Sequence, residues 1–109
     1  MAEIEVEVGV GDCPVDATTA VRLALVVNEI MTNALKHAFP DGRRGKIVVR
    51  LHRSEAVNFL TIADDGIGIA ANHVDRTGFK LIGLLGQAIK GRLRCEPDPA
   101  GGTRFELAF

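Results

Sequence analysis

The chain has 109 residues, of which 47% are hydrophobic and 25% charged, and its formal net charge is -1. That length holds one domain around one core and is too short for two, and the composition is that of a folded soluble chain rather than a disordered one. The near-neutral charge excludes general binding to nucleic acid, which needs a basic face against the phosphates, while leaving room for a local basic group that holds one nucleotide.

No apolar stretch is long enough to span a bilayer, because the most apolar one, residues 20–30, contains Arg22, Asn28 and Glu29. The Met1-Ala2-Glu3 start is not signal-like, and Cys13 and Cys95 form no CxxC pair, so the sequence points to a cytoplasmic protein with reduced thiols. His37, His52 and His73 have no ligand spacing with one another or with the cysteines, which argues against a structural metal site.

In chain order, Glu3 to Val10 alternates glutamate with Ile4, Val6 and Val8 and predicts a strand with one wet face. Gly9, Gly11, Asp12 and Pro14 break it, and Asp16 or Thr18 caps a helix that should run to about His37. Ala38-Phe39-Pro40-Asp41-Gly42 stops that helix. Lys46 to His52 and Ala56 to Ala63 predict an antiparallel hairpin around Arg53-Ser54-Glu55. Ala70 to Thr77 has no clear period and suits a loop or a lid. Phe79 to Lys90 is a helical pattern ending at Gly91, and Arg92 to Glu96 and Thr103 to Phe109 predict two last strands around a turn at Pro97 to Gly102.

The first helix carries the chemistry. At about 100° per residue, Arg22, Glu29, Asn33 and Lys36 share one stripe, while Leu23, Val27, Ile30, Ala34 and Leu35 fall largely elsewhere. Glu29 and Asn33 lie about 6 Å apart along the axis, close enough to act on one small ligand. An amide oxygen from Asn33 suits magnesium alongside phosphate oxygens and waters, and Glu29 near a terminal phosphate suits orienting or deprotonating an attacking group. The same stripe read alone is equally the solvated face of an amphipathic helix. His37 stands at its edge, as ready to pack or cap as to touch phosphate.

Asn28-Glu29-Ile30-Met31-Thr32-Asn33-Ala34-Leu35-Lys36-His37-Ala38-Phe39 resembles the N box of histidine-kinase ATP-binding domains, and Ala63-Asp64-Asp65-Gly66-Ile67-Gly68-Ile69 resembles their first glycine box, DxGxG. Thr77-Gly78-Phe79-Lys80-Leu81-Ile82 resembles the second glycine box, and Gly101-Gly102-Thr103-Arg104-Phe105 the final GGT strand. Four motifs in order over nearly the whole chain make it similar to the Bergerat-type ATPases, and most similar to bacterial kinases of the HWE type or a close relative. The absence of any tryptophan favours the relative.

The resemblance implies an α/β two-layer sandwich, with a mixed, largely antiparallel sheet and helices on one face, binding ATP and Mg2+. It implies that Asn33 holds magnesium against the phosphates, that Glu29 is the polar group near the gamma-phosphate, and that Lys36 meets phosphate oxygens. Asp65 would accept the adenine amino group, with Gly66 and Gly68 allowing close approach and Thr103 supporting the base. Gly78 would bring lid amides to the phosphates, and Lys80 would add charge or simply be solvated. On this resemblance Asp64 is a turn or solvent residue. Arg76 replaces a small residue, and only nine residues separate Gly68 from Gly78, so the lid is short.

The implied activity is transfer of the ATP gamma-phosphate to a histidine on a separate dimerisation domain, with a response regulator downstream. No phosphoacceptor-like helix pair precedes Glu3, so the chain resembles an excised or free-standing catalytic domain. Two alternatives stay open on the residues: a non-catalytic Bergerat-fold binding module of phosphotransferase type, favoured by the short lid, and a serine kinase of the anti-sigma type.

Overall fold

The computed structural model describes residues 4–37, 39, 44–67, 76–98 and 101–109, without the side chains at 37 and 76–79. The elements in order are β1 (Ile4–Val10), α1 (Ala17–His37), β2 (Gly45–Ser54), β3 (Val57–Asp64), α2 (Arg76–Ala88), β4 (Arg92–Pro97) and β5 (Thr103–Ala108). The five strands form one sheet in the order β1-β2-β3-β5-β4. Among the described residues β1 and β2 pair in parallel, and the other three pairings are antiparallel. This is the mixed, largely antiparallel sheet that the sequence predicts.

Strand residues two apart share a face, so the register sorts the side chains into rows. One inward row holds Val49, Ile62 and Phe105, and the next holds Leu51, Leu60 and Leu107. Leu23, Val26 and Ile30 of α1 and Ile82 of α2 close over these rows, and together they make one buried core. Each such side chain contributes about 1.5–3 kcal/mol on burial. Gly45 opens β2 because the Phe39 ring lies against it, in space that a Cβ would occupy.

Helix α1 is capped and ends at His37 as the sequence predicts, whereas the β2–β3 turn and the start of α2 differ. Asp16 caps α1, its Oδ1 accepting the Thr19 N–H at 2.7 Å. The β2–β3 turn is tighter than Arg53-Ser54-Glu55 suggests: strand pairing continues through Ser54 opposite Val57, leaving Glu55 and Ala56 at φ 50° and 66°. Positive φ at both central residues matches the right-handed twist of the strands, so sheet pairing overrides the usual preference for glycine or asparagine there. Helix α2 starts at Arg76, three residues before the predicted Phe79. The predicted lid falls mostly on 68–75, outside the described residues.

The pairings also fix helix direction. Helix α1 joins the parallel pair β1 and β2 and so runs opposite to both, parallel to β3. Strand β4 runs parallel to β3 through their shared neighbour β5, and α2 joins β3 to β4, so α2 runs opposite to β3. The two helices are therefore antiparallel. The far end of this pair is tied by Arg22, whose Nη1 donates to the Ala88 carbonyl at 3.2 Å.

Candidate nucleotide site

This topology gathers four chain segments at one edge of the sandwich. They are the C-terminal half of α1, the C-terminal end of β3, the first residues of β5 and the first turn of α2. Glu29, Asn33 and Lys36 stand on that half of α1, Asp64 ends β3 with Asp65 and Gly66 directly after it, Thr103 opens β5, and Gly78 lies in the first turn of α2 with Lys80 just beyond it. Gly68 and the His37 side chain lie outside what is described.

Asn33 is 5% exposed, and its buried Nδ2 has no hydrogen-bond partner among the described residues. A buried amide left unpaired costs about 1–3 kcal/mol. That orphaned group is a reason to expect a ligand, since an amide can present either its oxygen or its nitrogen to one. Glu29, one turn earlier on the same side, is half-buried, whereas Lys36 and Lys80 are exposed. Arg22, on the same predicted stripe, is instead engaged with the end of α2.

The two adjacent aspartates separate in a way that the motif alone did not assign. Leu60 and Ile62 point inward, so Asp64 follows them inward while Asp65 points away. Asp64, read from the sequence as a turn or solvent residue, is only 7% exposed. Its Oδ1 accepts the Gly66 N–H at 2.9 Å, and its carboxylate also accepts the Thr103 N–H. Burial pushes its pKa above the ordinary 3.8, the two backbone donors oppose that shift, and nearby Asp65 and Asp98 add to it. Asp65 is exposed, its Oδ1 accepts the Lys46 N–H at 2.7 Å, and its own N–H donates to the Lys46 carbonyl at 3.2 Å. Asp65 therefore extends the β2–β3 pairing beyond the strand end. The inward acceptor sequence reasoning missed is Asp64, and the period-two alternation of β3 carried the signal for it.

Gly102 crosses directly over Asp64 at φ 84°, and a Cβ there would collide with the Asp64 carbonyl. Thr103, 3% exposed, follows it into β5. The Asp64 carboxylate with its Gly66 and Thr103 donors and the Asn33 face of α1 thus lie at the same edge of the sandwich. Helix α2 begins at this edge, with no acidic residue in its first turn. Among the described residues no cluster of three or more His, Cys, Asp or Glu could hold a metal.

Residues 18–109 match the profile of the histidine kinase-, DNA gyrase B- and HSP90-like ATPases. The sensor histidine kinase PdtaS of Mycobacterium tuberculosis strain H37Rv is 37% identical over 105 residues, which span 90% of this chain and 21% of that protein. Its namesake from Mycolicibacterium smegmatis is 31% identical over 98 residues, 84% of this chain and 20% of that protein. The histidine kinase domain of the Erythrobacter litoralis EL346 blue-light activated histidine kinase superimposes with a TM-score of 0.85 at 29% identity, covering 100% of this chain and 52% of that one. The chain thus spans about a fifth of the curated relatives it matches. With the fold, the four ordered motifs and the gathered edge in agreement, the chain belongs to the histidine kinase-, DNA gyrase B- and HSP90-like ATPases, as an ATP-binding catalytic domain of the sensor histidine kinase type.

Proposed function

We propose that the gathered edge binds Mg-ATP and presents its gamma-phosphate to a histidine on a separate helical dimerisation domain, the phosphoryl group passing later to a response regulator. The observation that carries this reading is the buried, unpartnered amide of Asn33 on the same edge as the inward Asp64 carboxylate. Asp64, in place of Asp65, accepts the adenine amino group, and Thr103 supports the same base. Gly66 and Gly68 let the backbone approach. Asn33 supplies an amide oxygen to magnesium, and Lys36, Lys80 and the amides around Gly78 meet the phosphates. Glu29 orients the attacking imidazole near the gamma-phosphate, and His37 is a further polar group at that end.

Magnesium supplies charge neutralisation of the phosphates when bound, and positioning plus electrostatics supply most of the barrier reduction in phosphoryl transfer. Among the described residues no helix is long and apolar enough to cross a membrane. We place the domain in the cytoplasm, where ATP and reduced thiols coexist. Calorimetry with ATP, with and without magnesium, tests the reading on the wild type, Asn33→Ala and Asp64→Asn. Magnesium-dependent binding that is lost in Asn33→Ala and weakened in Asp64→Asn supports it. A folded wild type with no binding at millimolar ATP would replace it with the non-catalytic module.

A further inference from the structure

The C-terminus of α2 is closed by the turn that follows it, with one carbonyl left over. The Gly91 N–H donates to the Gly86 carbonyl at 2.8 Å, the Lys90 N–H to that of Gln87 at 2.9 Å and the Ile89 N–H to that of Leu85 at 3.3 Å. The first two bonds, with Lys90 at φ 57°, form the reversal common after a helix, at a position that ordinarily takes glycine. The next carbonyl, that of Ala88, accepts Arg22 Nη1 of α1 at 3.2 Å. A cation is favoured there because the helix dipole ends negative, yet the last turn of α2 contains no basic residue of its own. The half-buried Arg22 supplies the charge from another helix. Gly91 holds the same end against the sheet, since a Cβ there would stand 2.7 Å from Leu107 Cδ1 and 3.1 Å from the Ala108 carbonyl oxygen.

We propose, on the basis of the Mg-ATP reading of the gathered edge, that Arg22 is a positioning residue for that site: it sets where α2 stands along α1 and hence where the first turn of α2 meets the phosphates. Helix α2 has 13 residues and is about 20 Å long. Ile82, fully buried, stands at its middle, about 9 Å along the axis from Ala88 at one end and from Arg76 at the other. A helix is stiff over this length, so a swing of the Ala88 end about that buried side chain moves the opposite end by a similar distance. Apolar packing holds two helices together with little directional preference, whereas a hydrogen bond has a narrow range of length and angle. The Arg22 bond therefore fixes the slide and tilt that the apolar contacts leave loose. Asp64 and Thr103 belong to the sheet, so the adenine end of the ligand does not follow α2.

Calorimetric titration of the full 109-residue chain with Mg-ATP, and separately with adenosine, tests this in wild type, Arg22→Ala and Arg22→Lys. Arg22→Ala should weaken Mg-ATP by about three- to tenfold and leave adenosine within about twofold of wild type. Arg22→Lys should restore Mg-ATP, because one donor and one positive charge suffice for a single bond to a carbonyl. A merely structural role would lower the melting temperature without separating the two ligands. Equal losses for Mg-ATP and adenosine, or a lysine variant as weak as alanine, overturn the proposal. Wild-type binding of Mg-ATP that Arg22→Ala leaves untouched overturns it alone. A folded wild type that binds neither ligand overturns it together with the nucleotide reading, so the two failures are distinguishable.

Discussion

The Asp64 carboxylate accepts the backbone N–H of Thr103 across the β3–β5 pairing, joining the end of one strand to the start of the next beneath the site. The same carboxylate turns back to the Gly66 N–H at 2.9 Å. Two backbone donors fix its orientation and leave its remaining lone pairs for a ligand. Asp65, one residue later, is committed to Lys46 at the opposite strand.

The two aspartates should therefore respond differently to substitution. Asp64→Asn preserves shape and loses a charged acceptor, so ATP should bind more weakly by about 1.5–3 kcal/mol. Asp65→Ala should cost about 1 kcal/mol of stability through the lost Lys46 hydrogen bond and leave ATP affinity nearly unchanged. Calorimetry and urea unfolding on both variants check this, and a stronger effect on ATP from Asp65 than from Asp64 would reverse the assignment.

Protonation of Asp64 should register in stability. Its folded pKa is raised above the ordinary 3.8 by burial, so the folded state binds a proton more tightly than the unfolded chain does. Its contribution is then least unfavourable below 3.8 and is progressively lost as pH rises from there through the folded pKa. The unfolding free energy of wild type minus that of Asp64→Asn should fall over that window. A flat difference there would show that the buried carboxylate carries no such penalty.

Removing the orphaned amide should separate binding from folding. In Asn33→Ala the unpaired polar group disappears along with some packing, two opposing effects, so the ligand-free protein should unfold within about 1 kcal/mol of wild type. Mg-ATP should raise the melting temperature of wild type and not of the variant. An unchanged shift in the variant would remove Asn33 from the site.

Gly102→Ala tests the crossing over Asp64. The φ of 84° and the Asp64 carbonyl beneath leave no room for a Cβ. A loss of about 2–3 kcal/mol in unfolding free energy is expected, with weaker ATP binding because Asp64 must move. Gly101→Ala is the matched control, since it has a similar φ of 99° but open space around it, and it should cost less.

Ile82 is fully buried between the helical layer and the sheet. Ile82→Ala should destabilise the fold by about 2–5 kcal/mol, measured by urea unfolding, and should loosen α2 along with the N-terminus that it offers to the site.

The sequence by itself determined the elements, their order and the ATP-binding family, and it singled out Asn33 as the amide to test. Local periodicity and glycine placement are recorded in consecutive residues, and the helical stripe put Glu29 and Asn33 together within one turn. Only the tertiary structure decided which aspartate faces inward, that Arg22 serves the end of α2 instead of the ligand, and that the Glu55-Ala56 turn takes positive φ without glycine. Each of these depends on a neighbour distant in sequence: Thr103 and Lys46 for the aspartates, Ala88 for Arg22, and the paired strands for the turn. Pairwise contacts of that range are set by the packed whole, and no window of the sequence contains both partners.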